Sequence, residues 1–290
     1  MTSRTILLTG ASRGLGRAMA ERLLGNGHSL LLAARSREKA EAVCATLRAQ
    51  DPASRVEPVV IELASLASIR DFAGSMSDRP IDVLYHCAGI MQQSRQRRTT
   101  VDGFEETLGV NVLAPMLLTN LLLPNLRRGK SPRIVCVGSR MHRPGLRGPD
   151  PHFDFEDPDL QRSYQHDLAY KNSKLALLWF VYELARRLPA HSIGVHAICP
   201  GFVPRTAADS VQGLMRFFML YVLRWMPFAT SVETAAKNLV DVAIRPELDG
   251  KTATYWEDGR CVESSVESRD AERARRFFDW ASQRLGLSSW

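Results

Sequence analysis

Tyr170 and Lys174 are four residues apart and are the residues of this sequence best suited to proton chemistry. On a helix, side chains at this spacing lie on one face, so the phenol and the ammonium group would be neighbours. A free phenol has a pKa of about 10 and exchanges protons poorly at neutral pH. A nearby positive charge favours the phenolate, and each unit of pKa corresponds to about 1.4 kcal/mol. The pair is therefore predicted to donate a proton to, and accept one from, a substrate oxygen.

Ser139 and Asn111 are the other candidates for chemistry, because each lies where a fold can expose polar groups. Ser139 follows an apolar run, 133–137, that indicates a strand. Open α/β sheets place their sites at the carboxyl ends of strands, where a hydroxyl can hold a substrate oxygen in line. Asn111 lies four residues before Pro115, which has no N–H for the Asn111 carbonyl. We expect a kinked helix there, with freed backbone groups that hold a water molecule.

The element that positions these residues begins at the amino terminus. An apolar run, 4–9, indicates a strand, and the loop 10–16 (GASRGLG) leads from it into a helix, 17–24. Unpaired N–H groups and the positive end of a helix dipole meet at such a loop and bind phosphate. We expect Gly10 to allow the tight turn, Gly14 to let a pyrophosphate approach, and Gly16 to let the helix pack on the strand.

The residue after the second strand decides which nicotinamide dinucleotide fits, and the residues after the third strand are near the adenine. An acid after the second strand would accept hydrogen bonds from the adenosine ribose and repel an added phosphate. The run 29–34 ends instead at Arg35, and Arg13 of the glycine loop supplies a second cation. The sequence therefore favours NADP(H) over NAD(H). Glu62 and Leu63 end the third strand, 56–61, and are placed to meet the adenine.

The whole chain alternates strand-like and helical stretches, which predicts parallel strands joined by right-handed crossovers. We expect one α/β domain over residues 1–290, a doubly wound Rossmann-type sheet of about seven strands with helices on both faces. The remaining predicted strands are 81–87, 193–199 and 251–257, and the predicted helices after the first are 37–50, 66–76, 103–126, 168–188, 230–244 and 266–287. Ala88 and Gly89 follow the fourth strand, where small residues let a cofactor cross the sheet edge.

Four motifs in this order resemble the short-chain dehydrogenase/reductase family: Thr9-Gly10-x-x-x-Gly14-x-Gly16, Asn111, Ser139 and Tyr170-x-x-x-Lys174. Within that family the chain resembles the retinol dehydrogenase and protochlorophyllide reductase branch. The stretches that carry the second resemblance are 34–35, 111–123 (NVLAPMLLTNLLL), 172–176 (NSKLA) and 264–287.

The resemblance implies a catalytic tetrad of Asn111, Ser139, Tyr170 and Lys174, with Lys174 also holding the nicotinamide ribose. It also implies a larger set of cofactor contacts, namely Gly10, Ser12, Arg13, Gly14, Leu15, Gly16, Arg35, Glu62, Leu63, Ala88, Gly89, Tyr170, Lys174, Pro200, Gly201 and Val203. The chain departs from the family pattern at two places. His86-Cys87 stands where Asn-Asn is usual, and Glu62 stands where Asp is usual.

These features predict an NADPH-dependent oxidoreductase that interconverts a carbonyl and an alcohol on a bulky lipophilic substrate. A transient-redox isomerase or epimerase and a non-catalytic dinucleotide sensor remain as alternatives. The polar, proline-rich segment 140–166 is expected to be an active-site loop. The apolar segment 205–228 is expected to be a helical substrate lid, with ordinary core or a dimer face as the other interpretation.

Composition excludes several other classes of function. The net charge of +7 comes from basic residues spread along the chain without a nucleic-acid-reading motif, and an anionic cofactor accounts for them. The longest apolar stretch near the carboxyl end, 217–228, is too short and too interrupted to span a bilayer. No secretion signal is visible. Five scattered cysteines predict buried, reduced thiols in a cytoplasmic protein. A homo-oligomer is possible by analogy with the family.

The seven histidines do not show the spacing of a metal site. His142, His152 and His166 lie in the long loop and could approach a substrate. Solvated loop histidines are commoner, so we expect these residues to be exposed to solvent.

Overall fold

A computed structural model describes residues 3–146, 148–189, 192–204, 226, 229–287 and 290. Across these ranges the strands form one sheet in the order β3-β2-β1-β4-β5-β6-β7-β8. Strands β1 to β7 pair in parallel, and β8 is antiparallel to β7. The strands are β1 (Thr5–Thr9), β2 (Ser29–Ala34), β3 (Val56–Val60), β4 (Val83–His86), β5 (Arg133–Val137), β6 (Gly194–Cys199), β7 (Thr254–Glu257) and β8 (Arg260–Val262). The predicted doubly wound α/β fold is confirmed.

Helices cover both faces of this sheet, and two separate apolar cores fill the space between. One core lies under α1, α2 and α7, and the other lies under α3, α5, α6 and α8. Strand β1 lies at the centre, where Leu7 pairs with Leu31 on one side and with Leu84 on the other. The helices are α1 (Gly14–Gly25), α2 (Arg37–Gln50), α3 (Leu66–Ser75), α4 (Glu106–Leu108), α5 (Ala114–Arg127), α6 (His166–Arg187), α7 (Val232–Ile244) and α8 (Ala271–Leu285).

Two element predictions near the carboxyl terminus were wrong. The last strand is followed by a further strand, β8, because Asp258 and Gly259 have positive φ of 50° and 74° and make a two-residue hairpin turn. The helix predicted from residue 266 begins at Ala271, since Asp270 accepts hydrogen bonds from the amides of Glu272 and Arg273 and caps it there.

Smaller differences concern where elements begin and end. Helix α1 begins at Gly14 rather than at residue 17, so Gly14 and Gly16 belong to its first turn. All five cysteines are free, but Cys261 is exposed because it lies on the edge strand β8, contrary to the expectation of burial. The other cysteines are buried or half-buried.

The long helical stretch that carries Asn111 is irregular where the sequence predicts a kink. A π-helical turn, Gly109–Leu113, separates α4 from α5, and Pro115 occupies the first turn of α5. A π-helical turn widens the helix locally and is frequent at functional sites. The predicted irregularity is confirmed, and it presents Asn111 toward the carboxyl end of the sheet.

By length and composition alone, one helix of the described ranges, Glu106–Arg127, could cross a membrane. Most of the apolar stretch of this helix is buried inside the fold, as is typical of a core helix. The predicted lid, 205–228, lies outside the described residues except for Met226 and so stays a prediction. The extent of the domain and the cytoplasmic location also stay predictions.

Candidate active site

Many of the predicted site residues meet at one edge of the sheet because they follow the carboxyl ends of parallel strands, and Asn111, Tyr170 and Lys174 reach it from helical elements. This edge is where open α/β sheets bind their ligands. In the order of the sheet, the strand ends are followed by Glu62 after β3, Arg35 after β2, Gly10 after β1, Ala88 and Gly89 after β4, Ser139 after β5, and Pro200 and Gly201 after β6.

The glycine loop has the backbone that the sequence predicts. Gly10 and Gly14 have positive φ of 77° and 55°. A Cβ atom on Gly10 would lie 2.7 Å from the Ala88 Cα, and one on Gly16 would overlap the Gly10 carbonyl. The roles of Gly10 in the turn and of Gly16 in packing are therefore confirmed. Arg13 at the N-cap of α1 does not cap the helix with its side chain, which leaves the first turn suited to a phosphate.

The hydroxyl of Thr9 fixes the glycine loop to the neighbouring strand end. Its Oγ1 accepts hydrogen bonds from the amides of Cys87 at 3.1 Å and Ala88 at 3.2 Å. It donates to the Tyr85 carbonyl at 3.3 Å. Thr9 thus holds Ala88 against Gly10. The sequence does not indicate this role, although it places Thr9 at the end of the first strand.

Ser139 lies beside Tyr170, and its hydroxyl interacts with the phenol in the direction that favours the phenolate. Ser139 Oγ also accepts from the Met141 amide at 3.2 Å, so its own proton remains to be donated. Removal from water raises the pKa of the Tyr170 phenol, and the neighbouring Ser139 hydroxyl acts in the opposite direction. The serine is therefore placed to stabilise negative charge on the phenol oxygen.

Lys174 supplies the positive charge beside this phenol. Its Nζ lies 5.6 Å from the centroid of the Tyr170 ring and donates to the Val137 carbonyl at 2.9 Å. The residue is 5% exposed, and burial lowers its pKa to about 8. The lowered phenol pKa that the sequence predicts would need this charge together with that of an oxidised nicotinamide ring. In the chain alone, burial dominates, and the pKa of Tyr170 is raised rather than lowered.

Asn111 uses its side chain to hold two neighbouring segments together. Its amide donates to the Ile90 carbonyl at 2.9 Å and to Ser173 Oγ at 3.0 Å, and its Oδ1 accepts from the Ile90 amide at 2.8 Å. Ser173 in turn donates to the Tyr170 carbonyl at 2.7 Å. Asn111 therefore connects the end of β4 to α6, the helix that carries Tyr170. Ser173 is part of this connection, a role that the sequence analysis did not predict.

Gly89 lies between the predicted tetrad and the glycine loop. A Cβ atom there would lie 3.3 Å from Asn111 Oδ1 and 3.6 Å from Lys174 Nζ. Through Ala88 the same segment touches Gly10. The glycine loop and the four polar residues thus form one continuous site.

Comparisons with known proteins agree with this geometry. A sequence model of the family described as short chain dehydrogenase matches residues 4–148. Retinol dehydrogenase 13 of Mus musculus is 35% identical over 292 residues, which cover 98% of this chain and 84% of that relative. The chain belongs to the short-chain dehydrogenase family.

Two other matches extend the comparison of this short-chain dehydrogenase. Polyprenol dehydrogenase of Mus musculus is 35% identical over 286 residues, covering 96% of this chain and 82% of that protein. The solved NADP complex of RhlG from Pseudomonas aeruginosa has a TM-score of 0.69 at 25% identity and covers 89% of this chain and 96% of that one. Family membership makes this protein an oxidoreductase that uses a nicotinamide dinucleotide to interconvert carbonyl and alcohol groups.

The residues predicted to bind the outer part of the cofactor lie at the other end of the same edge. Ser12, Arg13 and Arg35 are exposed there. The Glu62 carboxylate accepts from the Ala64 amide at 2.9 Å and so shapes its own turn. Leu15 and Leu63 pack against the two cores.

The turn after β6 closes the site on the opposite side from the glycine loop. Gly201 has a φ of 81°, and a Cβ atom there would overlap Thr230 Oγ1. The Thr230 amide donates to the Phe202 carbonyl at 2.7 Å, and Val203 is buried. The Pro200–Val203 turn is thereby fixed by the residues just before α7, and its cofactor role stays a prediction.

The His86-Cys87 departure from the family pattern lies at the end of β4. His86 Nε2 lies 2.9 Å from Thr119 Oγ1, and burial lowers the pKa of His86 to about 3. Burial likewise raises the pKa of Cys87 to about 12, while its amide is held by Thr9. Both side chains are therefore neutral at physiological pH.

The segment 140–166 is packed against the dehydrogenase core. Lys171 is fully buried, and its Nζ donates to the carbonyls of Leu146 at 3.2 Å and Pro149 at 2.7 Å. Asn172 exchanges two 2.8 Å hydrogen bonds with the backbone of His152. Lys171 and Asn172, which follow Tyr170 directly, thus hold this loop in place beside the site.

The expectation for His142 was wrong, because its side chain is fully buried rather than solvated or facing a substrate. It bonds to the backbone at Ser139 and Ser265. The sequence gives no signal for these contacts, since Ser265 lies 123 residues away. His152 is exposed and His166 is partly exposed. Among the described residues, no group of histidines, cysteines and acids could hold a metal ion.

Replacing Gly16 with alanine is expected to destabilise the protein by about 1–3 kcal/mol and to weaken dinucleotide binding, because the new methyl group overlaps the Gly10 carbonyl. The matched control is Gly25→Ala in the same helix, where nothing lies within 4 Å of the added Cβ atom. Denaturant unfolding and dinucleotide titration of both variants check this. Equal stability of the two variants would contradict the packing role of Gly16.

Proposed function

We propose that this protein is an NADPH-dependent carbonyl reductase or alcohol dehydrogenase for bulky lipophilic substrates. The observation that carries the proposal is the contiguous arrangement of Ser139, Tyr170 and Lys174 beside a glycine loop suited to phosphate. Family membership gives the reaction class, the interconversion of carbonyl and alcohol groups.

The residues present fit a dinucleotide across this edge. The open first turn of α1 and the positive φ of Gly10 and Gly14 suit a pyrophosphate. Gly89 and Lys174 would hold the nicotinamide ribose side. When bound, the nicotinamide supplies or accepts the hydride.

The chain's own residues move the proton. In reduction, Ser139 would donate a hydrogen bond to the substrate carbonyl oxygen while Tyr170 gives that oxygen its proton. The Lys174 ammonium would stabilise the phenolate that remains. The side-chain amide of Asn111 already donates to Ile90 and Ser173. The water molecule that would return a proton to Tyr170 would therefore be held by the Asn111 backbone carbonyl, for which Pro115 offers no N–H.

The preference for NADP(H) is supported by Arg13 at the N-cap of α1 and Arg35 at the end of β2. We expect the double variant Arg13→Ala/Arg35→Asp to lose about 100-fold or more in kcat/KM with NADPH and to gain relative to NADH. The physical reason is that two cations facing the 2′-phosphate are replaced by one carboxylate that accepts from a ribose hydroxyl. Steady-state kinetics with both dinucleotides measure this. An unchanged NADPH-to-NADH ratio would contradict the assignment.

The lipophilic substrate is supported by the relatives, whose names specify retinol and polyprenol. The test is a panel of hydrophobic aldehydes and ketones mixed with the purified protein and NADPH, followed by loss of the reduced-nicotinamide absorbance. We expect turnover of bulky apolar carbonyls and little of short polar ones. Tight NADPH binding without turnover of any panel member would instead support the sensor alternative.

We expect the two reaction directions to depend on pH with opposite slopes. Reduction needs the protonated phenol and the charged lysine, and the pKa of Tyr170 is raised while that of Lys174 is lowered to about 8. The kcat/KM for reduction should therefore be flat near neutrality and fall above about pH 8, whereas that for oxidation, which needs the phenolate, should rise between about pH 6 and 8. Slopes of the same sign in both directions would contradict the proton role of Tyr170.

A further inference from the structure

His142 joins the backbone of Ser139 to the short segment 264–268 that precedes α8. Its Nδ1 lies 2.5 Å from the Ser139 carbonyl oxygen, and its Nε2 lies 3.1 Å from the Ser265 amide nitrogen. The ring packs edge-on against Tyr255, with ring centroids 5.3 Å apart. The imidazole therefore bridges the turn that carries Ser139 and a segment from the end of the chain.

The partners of the ring determine where its proton lies. A backbone N–H only donates, so Nε2 accepts from Ser265 and carries no proton. The proton is then on Nδ1, which donates to the Ser139 carbonyl. Burial lowers the pKa of His142 to about 4, with Arg143 acting in the same direction and Glu257 and the Ser139 carbonyl opposing it. The ring is thus neutral and in one tautomer at physiological pH.

The same segment is also bonded to α6, the helix that carries Tyr170. The hydroxyls of Tyr182 and Ser264 lie 2.7 Å apart, and Trp179 donates to the Glu267 carbonyl at 2.9 Å. Ser268 ties the segment together through Ser264 Oγ and the Ser265 carbonyl, both at 2.7 Å. The segment 264–268 therefore holds the Tyr170 helix directly and the Ser139 turn through His142.

From this geometry we infer that His142 is a positioning residue, whose Nδ1–H fixes the Ser139 carbonyl so that the Ser139 hydroxyl keeps its place beside the Tyr170 hydroxyl. The inference rests on the proposed role of Ser139 and deepens it. A misplacement of about 1 Å can cost on the order of 100-fold in rate, so the loss of this hydrogen bond acts on kcat.

Two substitutions separate the two hydrogen bonds of the ring. His142→Asn keeps an N–H near the Nδ1 position, whereas His142→Gln keeps an acceptor near the Nε2 position and loses the donor to Ser139. We expect H142N to retain kcat within about threefold and H142Q to lower it by at least about tenfold, with little change in KM. His196→Gln is the matched control, since His196 is equally buried but bonds to Thr254 on β7, and it should lower stability without lowering kcat.

A double-variant cycle distinguishes positioning from general damage. In Ser139→Ala no hydroxyl remains to be positioned, so adding H142Q should not lower the residual kcat further. A further tenfold loss in that background, or the same kcat for H142N and H142Q, would overturn the inference.

The tautomer provides a readout that needs no turnover. In nitrogen-15 NMR spectra of the histidine-labelled wild type, the His142 signals, assigned by their loss in H142N, should show a protonated Nδ1 and a bare Nε2 between about pH 5 and 8. A proton on Nε2 would overturn the inference. If the wild type bound NADPH but reduced no carbonyl, the proposed function would fail while this spectrum still showed whether His142 holds Ser139.

Discussion

Replacing Tyr170 with phenylalanine is expected to lower kcat for carbonyl reduction on the order of 1,000-fold, within the range that general acid catalysis contributes. The substitution removes only the hydroxyl beside Ser139 and leaves the ring beside Lys174. NADPH affinity is therefore expected to change by no more than a few-fold. Single-turnover kinetics and a separate dinucleotide titration measure the two effects.

The matched control for this substitution is Tyr85→Phe. Tyr85 is fully buried on β4, and its hydroxyl donates to the Leu239 carbonyl at 3.0 Å. Its loss should cost about 1 kcal/mol of stability, as for a typical buried hydrogen bond, and should leave kcat unchanged. A Tyr170→Phe enzyme with wild-type kcat would rule out the phenol as the proton donor.

Replacing Lys174 with methionine is expected to lower kcat/KM for alcohol oxidation on the order of 100-fold. The ammonium group is the positive charge that the described residues place near the phenol ring, at 5.6 Å from its centroid. Loss of this charge disfavours the phenolate and so raises the pKa of Tyr170, and a factor of about 100 in rate at neutral pH corresponds to about 2.7 kcal/mol. Raising the pH should restore part of this activity, because more phenolate then forms.

Lys171→Met is the control for this prediction. Lys171 is also buried on α6 and also donates to backbone carbonyls, but it faces Leu146 and Pro149 of the 140–166 segment. We expect it to lower stability and to alter substrate KM while the pH dependence of kcat stays that of the wild type. A shift of the pH profile in Lys171→Met equal to that in Lys174→Met would contradict a specific role for Lys174.

Most of the fold could be predicted because its signals are local. Apolar runs that end in Gly10, Arg35 and Ser139 mark parallel strands, and Pro115 marks the irregular turn at Asn111. Strand β8 was not predicted. Asp258-Gly259 is a local hairpin signal, but the three residues of β8 show no apolar alternation and all of them are exposed.

The candidate site could be predicted only as far as its spacing and family motifs reach. The residues that fix the tetrad are found through partners distant in sequence. Asn111 meets Ser173 across 62 residues, Thr9 meets Cys87 across 78, and His142 meets Ser265 across 123. Periodicity and capping patterns extend over a few residues and contain no information on such pairs.

The most direct test of the account is the ionisation of Tyr170 itself. The ultraviolet difference spectrum of tyrosinate, taken as wild type minus Tyr170→Phe over a pH titration, isolates this one phenol. We predict that adding NADP⁺ moves its ionisation to lower pH, and that Lys174→Met moves it to higher pH. A Tyr170 signal that titrates at the same pH with and without NADP⁺, and in the Lys174→Met variant, would contradict the claim that these charges tune the phenol for proton transfer.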